Sequence, residues 1–332
     1  MEAYLLSLVR GFQRQGDRVT VHACAIDQAL VKETGCTVRQ IRPILPRKIR
    51  EFRFLQLCDQ LPLRQEYDLA IGMARTSSTH VAVCGGVHVE TIRHIRRTAL
   101  LRGVYDKFET YSERKMFHTV PHVMAHSASV AREILAHFQI DGAKVQVVYP
   151  PIDSTSFRFF DNQDRARARA ALGVDDSRLT FLFVSCGHQR KGLQELMRAF
   201  ASLDPQRYQL LVAGSKIAMP HPENVRHLGY CTNLAPVYAA VDYTILPSHY
   251  EPFGLVVPES MQCGSPVVVT KQVGAAELLQ GEPSVLLDDN KPETIVDALR
   301  QLGRGLRVEP GFADRHGLGI NHHINEIKRI FC

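Results

Sequence analysis

The sequence predicts an α/β protein built as two doubly wound domains, and three observations carry that prediction. Short apolar runs alternate with amphipathic stretches along the chain, the rhythm of strands and helices in parallel sheets. A double proline in Tyr149-Pro150-Pro151-Ile152-Asp153, followed by Ser154-Thr155-Ser156, interrupts that rhythm near the middle. The 332 residues, 45% of them apolar, suffice for two ordinary cores. The expected divisions are 1–150, 151–318 and a closing helix over 319–332 that crosses back to the first domain.

Leu5, Leu8, Val9 and Phe12 recur at helical spacing, and Gly16 ends that first helix. Val19 and Val21 open a strand; a second strand is expected over 36–41 and a helix over 47–61. Further strands are predicted at 69–73 and at 80–84, the latter running into Gly85-Gly86-Val87-His88. Residues 91–120 are the most basic stretch: Arg93, Arg96, Arg97, Arg102, Lys107, Arg114 and Lys115 stand against Asp106, Glu109 and Glu113, a balance of +4. Ile92, Ile95, Ala99, Val104 and Phe108 form an apolar stripe there, which predicts a basic amphipathic helix or helix pair. Such a stretch is either an ordinary surface helix or a patch for an anionic membrane or acceptor. A strand at 122–125, a helix through Phe138 capped by Ser127 or Ser129, and a strand at 145–148 complete the half.

The second half repeats the pattern. A helix ending at Gly173 is followed by strands at 181–184, 208–213 and 243–246, with helices at 193–203 and 234–240 between them. Residues 246–269 read as strand, loop, helix and strand; then come a short helix at 274–279, a strand at 284–287 and a helix over 291–302. Ile320, Ile324, Ile327 and Phe331 mark the final amphipathic helix.

Two of these connections carry chemistry. In the first, Glu251 and Glu259 are eight positions apart, with Phe253-Gly254 between them and Pro258 placing Glu259 at a helix start. A glycine beside an aromatic suits main-chain amides that must approach a ligand closely. In the second, Ser185-Cys186-Gly187-His188-Gln189-Arg190-Lys191-Gly192 follows a strand and opens a helix. Gly187 and Gly192 have P-loop spacing, but Leu193 and Gln194 stand where Lys and Ser or Thr are required, which excludes P-loop chemistry. Two cations at a helix start oppose the helix dipole, so their place there argues for a bound anion. His88, flanked by glycines at a strand's carboxyl end, is a third candidate, against the reading of a merely structural histidine.

The totals exclude other classes. A net charge of +6 and pI near 8.9 are mild, and the basic residues are too local for a nucleic-acid groove. No apolar run reaches the roughly 18 residues of a membrane span. The eight cysteines show no C-x-x-C, and no H-E-x-x-H or D-x-D motif near a nucleotide site points to a metal. The N-terminus has no basic region ahead of its apolar residues, so no secretory signal is read and the cytoplasm is expected.

The order E-P-F-G-L-x-x-x-E, followed by x-x-x-C-G-x-P-V-V, resembles the E-x7-E signature of retaining GT-B glycosyltransferases of family 4. The resemblance implies two facing Rossmann-like domains with a cleft, and transfer of a hexose from a nucleotide sugar without metal or cofactor. It places Glu259 on the ribose, Glu251 on the donor sugar, Arg190 and Lys191 on the diphosphate, and His88 near donor sugar and acceptor. Phe253, Gly254, Leu255, Gly187 and Tyr230 then complete the substrate-binding set. Within the family the chain looks most like lipopolysaccharide core glucosyltransferase I, through the 85–88 turn, the basic 91–120 stretch and the 149–153 linker. That subfamily implies a UDP-glucose donor, a lipid-linked or lipopolysaccharide core saccharide acceptor, and a place on the inner face of the plasma membrane. A capsule or glycolipid mannosyltransferase and an inactive nucleotide-sugar-binding relative are the alternatives. The family pattern has a strand and a Gly-Gly turn before the segment matching Glu2-Ala3-Tyr4-Leu5-Leu6. Their absence from this sequence predicts a first domain without its central strand, with unpaired inner edges, marginal stability and activity in doubt.

Overall fold

In the computed structural model, which describes residues 2–43, 47–94 and 102–331, every paired strand runs parallel to its neighbour. This is what strands joined through helices must do. The chain forms two units: Met1–Glu90, Arg97–Pro151 and Leu318–Cys332 make the first, and Thr91–Arg96 with Ile152–Gly317 the second.

The first half runs through α1 (Glu2–Arg14), β1 (Thr20–Ala23), α2 (Gln28–Thr34), β2 (Thr37–Gln40), α3 (Arg47–Asp59) and α4 (Leu63–Glu66). It continues with β3 (Ile71–Gly72), β4 (Val81–Cys84), α5 (His88–His94), α6 (Arg102–Thr119), β5 (His122–Ala125), α7 (Ala128–Phe138) and β6 (Val145–Val147). Among the described residues its strands fall into two sheets, β1-β2 and β3-β4-β5-β6, with no ladder between them. The central β4 and β5 are buried because both faces are covered. One side of the sheet meets Met116, Phe117, Val130, Ile134 and Phe138; the other meets Leu8 and Phe12. β3 is shorter than the predicted 69–73. The imidazole Nδ1 of His80 accepts the Ala70 amide at 3.0 Å, replacing a ladder bond at that end. Ser127 caps α7 as expected, its Oγ accepting from the Val130 amide at 3.2 Å.

The basic 91–120 stretch includes the end of α5 and all of α6; of the predicted apolar stripe, Ile92 and Phe108 are only half-buried, and the Val104 side chain lies outside the described residues. Ile95, Arg96, Arg97 and Ala99 lie outside the described residues. On α6 the buried side chains are Glu109, Ser112, Glu113, Met116 and Phe117. Two carboxylates can turn inward because Arg75 meets them, 2.6 Å from Glu109 and 3.2 Å from Glu113. Both acids are thus withdrawn from the surface; Lys107 and Arg114 are exposed, as is Lys115, whose ammonium pairs with Asp59.

The second half contains α8 (Asn162–Leu172), β7 (Leu179–Ser185), α9 (Leu193–Ala201), β8 (Tyr208–Gly214), β9 (Val225–Gly229), α10 (Ala235–Ala240) and β10 (Tyr243–Leu246). It ends with α11 (Val256–Gln262), β11 (Val267–Thr270), β12 (Ser284–Leu287), α12 (Pro292–Arg300), α13 (Phe312–Arg315) and α14 (Ile320–Phe331). Six strands form one sheet in the order β12-β11-β10-β7-β8-β9. β9 and α13 escape prediction for a physical reason: β9 is an edge strand with one buried residue, and α13 has only four residues, too few to show a period. α14 belongs to the first unit, where Ile324, Ile327 and Ile330 pack with Leu8, Phe12, Val81, Val83 and Met124. Among the described residues, no helix is long and apolar enough to cross a membrane.

Candidate active site

The strand order locates the site. From β7 the chain builds outward through β8 and β9 on one side, then returns to place β10, β11 and β12 on the other. The switch point lies between β7 and β10, and the carboxyl ends of strands at such a point open a ligand crevice. The Arg190-Lys191 turn leaves β7 and the Glu251 loop leaves β10, so tertiary structure joins two motifs sixty residues apart in sequence.

Arg190 donates Nη1 to the Tyr250 carbonyl at 2.8 Å and stands 2.9 Å from Glu251 Oε2. Lys191 donates Nζ to the Val184 carbonyl at 3.2 Å and is 3.9 Å from the same carboxylate oxygen. The turn packs so tightly on β10 that a side chain at Gly192, where φ is +81°, would meet the Pro247 carbonyl at 2.1 Å. Gly187, by contrast, faces open space. His188 braces the turn: its Nε2 lies 2.9 Å from the Ser215 carbonyl, which can only accept, so Nδ1 takes the Ser185 hydroxyl at 3.0 Å. Burial pushes the Lys191 ammonium down from the ordinary lysine range, and Arg190 adds to the shift while Glu251 opposes it.

Glu251 is buried, and its Oε2 takes no aligned hydrogen bond despite the two nearby cations. At the amino ends of the same two strands the opposite holds. Asp242 accepts from Arg165 at 2.8 Å through one oxygen and from the Thr180 amide at 2.8 Å through the other. A satisfied cluster clamps the fold; at the crevice, Glu251 Oε2 among its cations leaves an acceptor that a ligand group can use.

The Glu251 main chain is fixed by Gln272 and Gly274, at 3.0 Å and 2.8 Å. Gly254 has φ +92°, with Glu251 Cγ and Val273 Cγ1 both 3.0 Å from where a side chain would begin. That left-handed residue turns the chain into α11, which begins at Val256 rather than at Pro258. Glu259 is thus the fourth residue of the helix, still in its first turn as expected, its amide bonded to the Leu255 carbonyl at 3.0 Å. Its Oε2 accepts from the Tyr238 hydroxyl at 2.8 Å, and burial raises its carboxyl above the usual range while Tyr238 and then Lys191 oppose the shift.

The remaining candidates separate. Phe253 is a core side chain at 5% exposure, which leaves only its main chain for a ligand, whereas Leu255 is exposed. Tyr230 stands 78% exposed just beyond β9, and no described contact joins it to the Arg190 cluster. His88 belongs to the first unit. It opens α5 with its amide on the Glu113 carboxylate at 3.0 Å and 3.1 Å, and its Nε2 is 3.0 Å from Asp106. Sequence reasoning missed the roles of Tyr238, His188 and Arg75: Tyr238 and Arg75 stand in no motif and act across a long sequence separation, and His188, though inside the 185–192 motif, acts by bracing the turn from within.

A family model described as Glycosyltransferase Family 4 matches residues 1–156, and one described as Glycosyl transferases group 1 matches 178–304. A probable transglycosylase of Burkholderia thailandensis is 30% identical over 321 residues, 95% of this chain and 87% of that protein. A D-inositol 3-phosphate glycosyltransferase of Streptomyces bingchenggensis is 28% identical over 71% of this chain, which spans 56% of that protein. Among solved structures, WaaG, a glycosyltransferase involved in lipopolysaccharide biosynthesis, matches with a TM-score of 0.73 at 16% identity, covering 99% of this chain and 90% of that one. Anabaena HepE in complex with UDP-glucose matches with a TM-score of 0.69 at 18% identity, over 99% of this chain and 92% of that one. The fold is that of the GT-B glycosyltransferases. The chain belongs to glycosyltransferase family 4, the glycosyl transferases of group 1.

Proposed function

We propose that this glycosyltransferase moves a hexose from a UDP-linked donor, glucose in the first instance, to a lipid-linked or lipopolysaccharide core saccharide, with the anomeric configuration retained. The observation that carries the reading is the meeting of Arg190, Lys191 and Glu251 at the sheet's switch point. In this reading the barrier is departure of a diphosphate while positive charge grows on the anomeric carbon. Preorganised cations at the phosphate lower it most. Lys191, partly desolvated, regains a counter-charge when the diphosphate arrives, and Arg190 shares that role.

Glu251 Oε2 accepts a hydroxyl of the donor sugar, and Glu259 accepts from the ribose. The open main chain at Gly187 and the amides of Phe253, Gly254 and Leu255 complete the donor site, with Tyr230 at its margin; His88, in the first unit, is assigned to the acceptor. The departing phosphate takes the acceptor proton, and no metal or cofactor is assigned. The exposed Lys107, Arg114 and Lys115 of α6 would hold the enzyme at an anionic membrane surface on the cytoplasmic side.

The support from relatives is that HepE was solved with UDP-glucose and that WaaG acts in lipopolysaccharide biosynthesis. The test is calorimetric titration with UDP-glucose, UDP-galactose and GDP-mannose, followed by NMR assignment of the product anomer. UDP-glucose is expected to bind most tightly and to yield an α-linked product. Preference for GDP-mannose would move the protein to mannosyl transfer; binding without turnover on any acceptor would make it an inactive relative.

A further inference from the structure

Tyr238 sits in the middle of α10, wholly buried in an apolar cluster that includes Leu182, Leu211, Val237, Val256 and Cys263. A hydroxyl placed there costs free energy unless it is bonded, and phenylalanine would fill the same volume without that cost. The hydroxyl has one use: it donates to Glu259 Oε2 at 2.8 Å. The other oxygen, Oε1, makes no hydrogen bond to a described residue. A carboxylate tethered by one oxygen, with the second left open, is oriented rather than saturated.

We propose that Tyr238 is a positioning residue of the nucleotide site, holding Glu259 by Oε2 so that Oε1 is presented to the ribose hydroxyls. The proposal rests on the reading of Glu259 as the ribose acceptor. It adds a second effect. The groups that face Glu259 are Tyr238 from α10, Lys191 from the turn after β7 and the Cys263 thiol at the end of its own helix. Burial disfavours the ionised carboxylate, while the phenol hydroxyl and Lys191 favour it. The phenol is a permanent donor, because burial and the neighbouring carboxylate hold its own ionisation far above the ordinary tyrosine range. Loss of the hydroxyl raises the Glu259 carboxyl further, so the acceptor form disappears at a higher pH.

The experiment is calorimetric titration of wild type, Tyr238→Phe, Glu259→Gln and the double variant with UDP and with 2′,3′-dideoxy-UDP, at neutral pH and at successively lower pH for as long as each variant stays folded. Melting curves establish that each variant is folded. Tyr238→Phe is expected to weaken UDP binding about tenfold at neutral pH, as for loss of a charge-assisted bond. It should also shrink the preference for UDP over the dideoxy nucleotide, and steepen the loss of affinity as pH falls. In the Glu259→Gln background the same change should add little. If Tyr238→Phe weakens both nucleotides equally, adds in full to Glu259→Gln, or leaves affinity and pH profile as in wild type, the positioning role is overturned. Wild-type UDP affinity in Glu259→Gln would instead remove the ribose reading on which the proposal stands. Should Tyr238→Phe fail to fold, 3-fluorotyrosine at 238 strengthens the donor without removing it; the expected outcome is then tighter UDP binding that persists to lower pH, and unchanged binding overturns the proposal.

Discussion

The two units use the same alternation of strand and helix yet spend it differently. The second unit closes six strands into one sheet whose β10 and β11 are buried along their whole length. The first divides its strands between two sheets, and all four residues of β1 are only half-buried. Their buried polar groups differ as well. In the second unit Arg190, Lys191, Glu251 and Glu259 collect at strand ends, where a ligand can reach them. In the first unit such groups join elements to one another: Arg75 ties to α6, and Tyr4, His126 and His323 gather α1, β5 and α14. The lesson is that buried charge beside an open crevice belongs to ligand chemistry, while buried polarity between elements sets the conditions under which the fold survives.

The largest effect that would sharpen this contrast is acid destabilisation confined to the first unit. His323 accepts the Tyr4 hydroxyl at Nε2 (2.7 Å) and donates from Nδ1 to the Tyr149 carbonyl at 2.8 Å, so a second proton would face a donor. His126 has a buried Nε2 with no partner. Burial pushes His126 down from 6.5 to about 3 and His323 down from 6.5 to about 4. Both rings stay neutral in the fold while the unfolded chain takes up protons below pH 6.5. Their stabilisation is therefore complete above pH 6.5 and is lost as pH falls toward 4 and then 3. Each ring contributes about 1.4 kcal/mol per pH unit, so the pair withdraws about 4 kcal/mol by about pH 5. Hydrogen exchange at neutral and mildly acidic pH should show the first unit opening first, and His323→Gln should flatten the dependence. Parallel loss in both units would break the comparison.

Next in size is the catalytic pair. Arg190→Ala or Lys191→Ala should lower kcat about a hundredfold, by analogy with removal of one oxyanion donor, while the melting temperature changes little. If both variants raise only KM, the cations bind ground state and transition state alike. A smaller effect is expected at neutral pH in exchange rates. Amides of β1 and β2 should exchange at least about tenfold faster than those of β7 and β8, because their two-strand sheet is half-exposed. Equal protection would mean that the division of the first unit's sheets has no energetic consequence. The smallest effect concerns α6. Lys107→Gln and Arg114→Gln should each cost about 1 kcal/mol of binding to anionic vesicles, with the attraction fading in salt. Equal sedimentation of wild type with neutral and anionic vesicles at low salt would remove the membrane surface from the reading.

The sequence alone determined the alternation of elements, the family and the residues of both chemical motifs, because these depend on local periodicity and on spacing within one loop. Glu251 with Glu259, and Arg190 with Lys191, were legible as two separate signals. Only the tertiary structure decided that they meet, since a parallel sheet's order is set by crossovers and the neighbour of β7 is β10, not the next strand alone. It also decided which acids of α6 turn inward, because Arg75 lies far from them in sequence. The same holds for Phe253, an aromatic beside the glycine turn whose ring belongs to the core. Tyr238 shows the limit most clearly: its hydroxyl matters through one contact to a residue on another helix, and nothing in a chain's local pattern encodes which helix faces of a folded domain come to lie side by side.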